Sequence, residues 1–413
     1  MKLPFVSAMR NALLVGSLCL LSAIPFKNTW AVNTSDQGTI HYFEQANWPE
    51  LSAQQAQHQF TVRYQDLSFQ LAIEPNHQLM QSLSSAVKQQ LTAAKARYFS
   101  GQVLDAEGQA IEGSWLRLSY INQQWSGAWF AHGELYLVDA IDEVASMLNP
   151  HSNAATRAPE GSTIVFSMND LTLPILHGAD PLRAPESSAP ETNSTAFLRH
   201  IQSSGRGASN LQQLPLTIVT DTQFSNTHNG NTTANVLARL NLADGIYTSQ
   251  LSVSLGLLHH EVLNSNGSLT SFDIEDLLNQ FRAYMRSGEG SLLPRGGIAH
   301  LFTGRNVNGG FVGLAYIGVL CSITFGYGVD QDFNGNTTSA LIFAHELGHN
   351  FSSPHDGEDA CASETFRGIM NPVINGSTQF SNCSIQQMSD DINNASCLLD
   401  IPLVIYETGF EQN

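Results

Sequence analysis

The sequence of 413 residues predicts an α/β domain with a mixed, mainly parallel sheet, preceded by a domain made mostly of β-strands. Short apolar runs that alternate with polar residues fill residues 36–150 and are typical of successive strands in a meander. From residue 214 onward, strand-like and helix-like segments alternate, which favours a sheet covered by helices. A histidine-rich helix near residue 345 then carries the strongest functional signal.

The N-terminal strands are predicted from five runs of apolar and β-branched residues. They lie at 60–64, 67–71, 115–120, 127–130 and 134–138. Each run is bounded by polar turn residues, so a meander is expected between 32 and 150. An independent β binding domain is the alternative interpretation of this region.

Residues 1–31 have the pattern of a secretory signal peptide. Lys2 and Arg10 form a basic segment, residues 11–24 are apolar, and Ala31 ends a small-residue cleavage site. The apolar stretch is too short for an ordinary membrane span, although an uncleaved anchor is the alternative. The prediction is therefore a secreted protein, or a periplasmic one in a bacterium, with no membrane span in the mature form.

The composition agrees with export. Lys and Arg number 18 against 36 Asp and Glu, which gives a net charge of −18. Such a charge argues against a nucleic-acid partner and favours solubility. The acidic residues are dispersed, so they indicate a solvated surface and not one acidic binding site.

Residues 151–210 are rich in Ser, Ala, Asn, Thr and Pro, which is typical of an exposed linker. Proteolysis concentrates in such segments, so an activating cleavage is expected around 203–210.

After this linker, the predicted elements are a strand at 214–221, a helix from 235, a strand at 250–258 and a helix at 271–286 capped by Ser271.

The histidine-rich helix contains His345, Glu346 and His349, and His355 follows six residues later. Positions four apart lie on one face of a helix, so His345 and His349 can share a metal ion. The chain must turn back after Phe351 to bring His355 to the same ion. Three histidines with one open position are typical of catalytic zinc. A core helix with hydrogen-bonded histidines is the alternative.

The surroundings of this motif resemble the metzincin zinc proteases. Asp356, directly after the third histidine, resembles the adamalysin or reprolysin (ADAM-like) branch, and Met370 is similar to the family's Met-turn. Residues 301–305 and 313–318 resemble the strand above the cleft, and residues 380–384 are also similar. The resemblance covers about residues 210–400, so it implies a catalytic domain at 211–400.

By this resemblance the chain is a zinc metalloendopeptidase. Zn²⁺ would be held by the three histidines, and Glu346 would act as the general base toward water. A polypeptide substrate would lie extended along the edge strand. The positions that the resemblance places along the cleft are Gly313, Leu314, Ala315, Pro372 and Val373.

The run 98–138 resembles a reprolysin propeptide, which implies an intramolecular inhibitor in residues 32–150. Family propeptides often block the zinc with a cysteine, but this chain has no cysteine between Cys19 and Cys321. Latency must then be steric or use another ligand. His177, Asp170 and Asp180 are the candidates in the connecting stretch, and an ordinary surface position is the alternative for each.

Four cysteines lie in the zinc-binding part, and four cysteines allow three pairings. Free thiols or a second metal site are the alternatives, although an exported chain without closely spaced cysteine pairs favours disulfides. The family resemblance implies the pairs Cys321–Cys397 and Cys361–Cys383.

The sequence departs from the family in several places. Ser352 stands where a glycine is usual, and Pro215 and Gly297 occupy positions aligned with ligands of a structural calcium. Residues 330–336 are similar to the first half of a calcium loop, but Leu341 stands where such a loop ends in Glu. An Asx-rich cap of the zinc helix is therefore predicted, with calcium as the alternative. Residues 401–413 are predicted to be a short tail.

These observations together predict a secreted zinc endopeptidase made as a proenzyme. A catalytically silent binding or adhesion protein on the same fold is the alternative from another class, and a zinc amidase acting on other amides is the alternative enzyme.

Overall fold

The described part of the chain builds two eight-stranded sheets. This computed structural model describes residues 38–49, 58–81, 83, 85–149, 159, 161–174, 177–185 and 211–401. They belong to one compact unit that begins at Gln37. The expected signal peptide, the cleavage region around 203–210 and the tail after 401 lie outside the described residues. No helix within those ranges is long and apolar enough to cross a membrane.

The N-terminal sheet is antiparallel throughout and follows the order β2-β9-β8-β7-β6-β5-β4-β3. Its strands and those beside it are β1 (Thr39–Ile40), β2 (Glu44–Gln45), β3 (His58–Tyr64), β4 (Leu67–Pro75), β5 (Arg97–Leu104), β6 (Trp115–Ile121), β7 (Gln124–Ala131), β8 (Glu134–Ala140), β9 (Thr163–Ser167) and β10 (Leu171–Thr172). Two helices, α1 (His77–Gln81) and α2 (Ser85–Ala93), connect β4 to β5. Strands β1 and β10 pair separately.

One face of this sheet is held together by aromatic side chains. Trp129 stacks on Tyr136 with ring centroids 5.4 Å apart, and Phe69 lies 4.6 Å from Tyr136. The alternation along each strand sends the neighbouring side chains to the opposite face. That second face joins the core of the C-terminal half, to which Trp115 and Leu137 contribute.

The prediction of a linker at 151–210 is wrong for residues 163–167. Residues 163–167 form β9, which pairs with both β8 and β2. The run Ile164, Val165 and Phe166 is buried and supplies enough apolar surface for a strand. The polar composition of the flanking residues concealed this short apolar segment.

The C-terminal sheet is mixed, with the order β11-β16-β17-β15-β13-β14. Its strands are β11 (His177–Gly178), β12 (Leu182–Arg183), β13 (Gln212–Thr220), β14 (Val253–Val262), β15 (Ile298–Thr303), β16 (Phe311–Ile317), β17 (Tyr327–Gln331) and β18 (Leu399–Asp400). The helices are α3 (Thr222–Thr227), α4 (Thr232–Leu251), α5 (Ile274–Arg286), α6 (Gly335–Asn350) and α7 (Asn382–Asn394). The pairs β16–β17 and β13–β18 are antiparallel and the others are parallel. The mixed α/β organisation expected from the sequence is therefore present.

The N-cap of helix α5 lies two residues after the predicted position. Asp273, and not Ser271, occupies the N-cap position, where its carboxylate accepts a hydrogen bond from Asp276 N at 3.0 Å. Ser271 Oγ instead accepts from Asp273 N at 3.0 Å. Both residue types suit a helix start, so composition alone did not separate them.

Helix α4 joins the two halves. It packs against α6 on one side and against strand β6 on the other. Its Asp244 is buried and receives two hydrogen bonds from the Arg117 guanidinium, at 2.9 and 3.0 Å. Asn241 accepts from Asn76 and donates to Leu118 O, at 2.8 and 3.0 Å. Polar side chains therefore fix how the N-terminal sheet sits on this helix.

Candidate metal centre

Helix α6 carries two of the three predicted metal ligands, His345 and His349, and is buried from Thr337 to Asn350. It ends where the Phe351 N–H bonds to the carbonyls of Leu347 and Gly348. Ser352 then adopts φ 75°, in the left-handed region. A serine there costs on the order of 1 kcal/mol relative to glycine. Its Oγ donates to Asp391 Oδ2 at 2.5 Å, which fixes this turn on helix α7.

The three imidazoles converge, each with its Nδ1 atom turned outward. Nδ1 of His345 donates to Ile369 O and Nδ1 of His349 to Ser353 O, both at 2.7 Å. The Nε2 atoms of these two rings lie 3.1 Å apart. Nδ1 of His355 lies 3.2 Å from Glu358 Oε2, and its buried Nε2 has no hydrogen-bond partner among the described residues.

Both helical rings are held in the neutral form that binds metals. Burial, with a smaller contribution from His355, lowers the pKa of His345 to about 3. Burial also lowers the pKa of His349 well below its ordinary value, with further contributions from His345 and His355. The backbone acceptors at Nδ1 leave each Nε2 lone pair free, which is the usual second-sphere arrangement of histidine ligands.

Glu346 is fully buried beside these rings, and neither carboxylate oxygen has a hydrogen-bond partner among the described residues. Burial raises the pKa of this carboxyl well above its ordinary value, and the nearby Asp330 adds to the shift. The carboxylate lies against β16, where a Cβ on Gly313 would overlap its Oε1. A glycine at position 313 therefore makes the room that Glu346 occupies.

These residues fit a catalytic divalent metal ion. His345, His349 and His355 offer three nitrogen ligands that lie within 4.8 Å of one another. Imidazole nitrogens suit Zn²⁺, and three protein ligands leave a position open for water or substrate. The unpartnered His355 Nε2 and Glu346 carboxylate are the groups that a bound ion and its water would satisfy.

Met370 packs against helix α6, and Asp356 holds the turn that contains Met370. Met370 is fully buried, and a Cβ on Gly348 would lie 2.5 Å from its Sδ, so this side chain is in close contact with the helix. The Asp356 carboxylate accepts from Gly368 N at 2.7 Å and from Ser384 Oγ at 3.1 Å. Asp356 thus anchors the Met370 turn to the first turn of α7.

A buried chain of hydrogen-bonded side chains lies next to the end of helix α6, and no sequence motif predicted it. Asp330 Oδ2 bonds to His300 Nδ1 at 2.6 Å, and His300 Nε2 bonds to Asn350 Oδ1 at 2.8 Å. Asn350 Nδ2 donates to the carbonyls of Tyr316 and Tyr327. This chain ties the end of α6 to three strands. The only sequence signal was the polarity of these residues within apolar runs.

The predicted substrate positions are in contact with another part of the chain. Strands β11 and β12 run parallel to β16, with Gly178 opposite Gly313 and Leu182 opposite Tyr316. Ala179 N donates to Gly313 O at 3.2 Å. Leu314 and Ala315 are buried and pair with β17 on their other side.

The opposite wall of the cleft contacts the same segment. Gly178 N donates to Pro372 O at 3.1 Å, and His177 forms a bridge with Val373. A Cβ on Gly178 would lie 2.6 Å from His345 Nε2, so the backbone of this residue lies directly over the metal-binding side of the ring.

The other candidate ligands of this stretch lie away from the Nε2 atoms. Asp180 is 94% exposed, and its carboxylate is 3.7 Å from the outer Nδ1 of His355. Asp170 accepts a hydrogen bond from Tyr64 at 2.5 Å. The His177 side chain is exposed. The geometry therefore favours backbone contact over a side-chain ligand.

The four cysteines form Cys321–Cys397 and Cys361–Cys383, with Cα atoms 5.4 and 5.7 Å apart. These are the pairs that the resemblance implies. The first joins the segment after β16 to the segment after α7. The second holds the loop after His355 to the start of α7.

The carboxylates of the loop at 330–336 form hydrogen bonds with other side chains of the protein. Asp330 bonds to His300, and Asp332 bonds to Arg239 at 2.5 Å and to His228 at 2.9 Å. Asn334 precedes helix α6 without a side-chain capping bond. Neither the predicted cap nor a free set of calcium ligands is therefore present in this loop.

Comparison with known proteins identifies relatives of the C-terminal half. Residues 210–381 match the reprolysin family model described as metallo-peptidase family M12. The disintegrin and metalloproteinase domain-containing protein adm-2 of Caenorhabditis elegans is 30% identical over 170 residues. The match covers 40% of this chain and 17% of that relative's length.

Proposed function

We propose that this protein, whose residues 210–381 are similar to metallopeptidase domains of the reprolysin type, is an exported zinc-dependent endopeptidase made as a proenzyme. One observation carries the proposal: a buried, unpartnered Glu346 carboxylate lies beside three histidines whose Nε2 atoms converge. A carboxylate buried without a partner is costly, so its retention indicates a chemical role.

His345, His349 and His355 would hold Zn²⁺ through their Nε2 atoms. When bound, the ion supplies Lewis-acid polarisation of water and of a peptide carbonyl. A divalent charge beside Glu346 also favours the ionised carboxylate, against the effect of burial. Glu346 can then accept a proton from the attacking water at one carboxylate oxygen and pass it to the departing amine.

The peptide would bind by main-chain hydrogen bonds. The contacts that Gly313 and Pro372 make with the 177–179 segment are those that a substrate strand would use. Val312, Ile342 and Ile374 form a small apolar cluster beside the cleft. We therefore expect extended polypeptide substrates with an apolar residue near the cleaved bond.

Residues 177–183, which we call the cleft segment, would keep the uncleaved chain latent. They occupy the edge of β16 and the opposite wall at Pro372, so a substrate strand cannot add to β16 while they are in place. The backbone of Gly178 lies over His345. This mode of inhibition is steric and requires no cysteine. Cleavage in the 186–210 stretch would free the end of the cleft segment.

The substitution Glu346→Gln tests the central claim. It keeps the size of the side chain and removes the proton acceptor, so hydrolysis of a fluorogenic peptide by the matured form should fall by about 10²–10⁴-fold. Zinc content, measured by atomic absorption, should stay at the wild-type value. Glu275→Gln, an exposed change on helix α5, serves as the control and should retain activity.

Substantial activity in Glu346→Gln would refute the role of Glu346. A zinc-loaded wild-type protein that cleaves no peptide after removal of the cleft segment would instead support a binding protein on this fold.

A further inference from the structure

A polar cavity of about 250 Å³ lies where the N-terminal sheet meets the C-terminal half, away from the three histidines. Strands β7 and β8 and the turn after β8 supply one wall. The segment between α3 and α4, with Asn235 and Asn336, supplies the other. Its polar lining is dominated by carboxylate and amide side chains, and it includes no Lys or Arg.

Asp139 is the unusual group in this lining. It lies on β8, is only 4% exposed, and its side chain has no hydrogen-bond or ion-pair partner among the described residues. A buried carboxylate without a partner is strongly disfavoured. Burial raises its pKa well above the ordinary value, and the nearby Glu143 carboxylate raises it further. Both effects are relieved by a bound cation.

The second wall offers unused amide groups. Asn231 stands at the N-cap position of helix α4, yet its side chain makes no capping bond and lines the cavity. Asn229 lines it too, in a left-handed turn with φ 45°. His228 is not available as a ligand through Nε2, because that atom contacts Asp332 and Arg239.

We propose that this cavity binds a calcium ion through Asp139, Glu143 and amide oxygens of the 229–231 turn. Calcium takes six to eight oxygen ligands from carboxylates, amides and water in irregular geometry, which suits a roomy site of this composition. Mg²⁺ demands a tighter octahedron, and zinc prefers nitrogen and sulfur ligands. Since the ligands come from both walls, the ion clamps the N-terminal sheet onto the C-terminal half.

The test uses the full-length chain, freed of metals and reloaded with one equivalent of Zn²⁺. Calcium is titrated by calorimetry to about 10 mM, because extracellular calcium modules bind with Kd on the order of 10⁻⁴–10⁻³ M. Tb³⁺ serves as a luminescent substitute that is excited through Trp125, which also lines the cavity. We expect saturable calcium binding, a rise in Tm with Ca²⁺ that Mg²⁺ does not match, and Tb³⁺ emission that Ca²⁺ displaces.

Asp139→Asn should weaken calcium binding at least tenfold and remove the Tm response. Without calcium, the Asp139→Asn variant should be as stable as the wild type or more stable, because the substitution removes a buried carboxyl that has no partner. Asp66→Asn, which makes the same charge change in an exposed turn, is the matched control and should bind normally.

If Asp139→Asn fails to fold, Glu143→Gln at the exposed rim should still weaken calcium binding. Absence of any calcium response in the wild type, or a full response in both Asp139→Asn and Glu143→Gln, would overturn the proposal. None of these readouts depends on proteolysis, so failure here is separable from failure of the proposed enzyme activity.

Discussion

The two halves of the chain are stabilised by different interactions. The N-terminal sheet depends on packed aromatic rings such as Trp129 and Tyr136, and both disulfides lie in the C-terminal half. The C-terminal half also contains buried polar chains, such as His300 with Asp330. Directional bonds fix the polar groups around the three histidines, whereas the packing of the N-terminal sheet rests on shape and apolar area. Four predictions test this difference between the two halves.

The largest effect is expected from the long disulfide. Cys321–Cys397 closes a loop of 76 residues, and its removal by the double Cys→Ser change should cost about 4–5 kcal/mol. Removing Cys361–Cys383, which spans 22 residues, should cost about 3 kcal/mol. Urea unfolding followed by circular dichroism measures both. Equal costs would argue against the loop-entropy account.

Removing the ion pair that links the two halves should lower the free energy of unfolding by nearly as much. Arg117→Met leaves the buried Asp244 without its cation, for an expected loss of about 3–5 kcal/mol. The double change Arg117→Met with Asp244→Asn removes both charges and should recover at least about 1 kcal/mol. Denaturant unfolding of the wild type, Arg117→Met and the double variant measures both differences in the free energy of unfolding. A double variant less stable than Arg117→Met would contradict the charge argument.

Displacing the cleft segment should change the free energy by less, and the change can be measured as peptidase activity of the uncleaved chain. Gly178→Val places a side chain against His345, and such overpacking costs about 1–3 kcal/mol. This corresponds to roughly 5- to 150-fold more peptidase activity from the uncleaved chain. Asp180→Val puts the same side chain at an exposed position of the segment and should stay latent.

Zinc content of both variants must be measured beside activity. If Asp180→Val activates the uncleaved chain as strongly as Gly178→Val does, latency depends on the carboxylate near His355 and not on backbone contact.

The smallest effect concerns pH. His260 lies between Thr220 and Thr233, and burial lowers its pKa to about 3. The folded state therefore binds fewer protons than the unfolded state between about pH 3 and 6.5, so stability falls as pH falls through this range. His260→Asn should reduce that loss by on the order of 1 kcal/mol at pH 5.5. Unfolding at pH 8, where the ring is neutral in both states, measures the packing cost alone.

The convergence of the three histidines could be predicted because it depends on residues that are close together in the sequence. Helical spacing alone places His345 and His349 together, and a turn after Phe351 is enough to return His355. Ser352, which stands where a glycine is usual, adopts a left-handed conformation in that turn. The disulfide pairs came from the family resemblance, since spacing alone left three choices.

The remaining features depend on contacts between distant parts of the sequence. The cleft segment forms strands of only two residues, which pair with β16 more than 130 positions away. No local propensity identifies strands of that length. The Arg117–Asp244 ion pair and the burial of Asp139 likewise depend on how the two halves pack together. No local sequence pattern indicates either feature.

Asn350 has a consequence for how ligands affect one another. Its amide reaches the carbonyl of Tyr316 on β16, while its backbone ends the helix that carries His345 and His349. A movement of β16 would therefore be transmitted to the last turn of that helix. If the protein binds zinc and peptide as proposed, the two affinities are thermodynamically coupled, and each ligand changes the affinity for the other by the same factor.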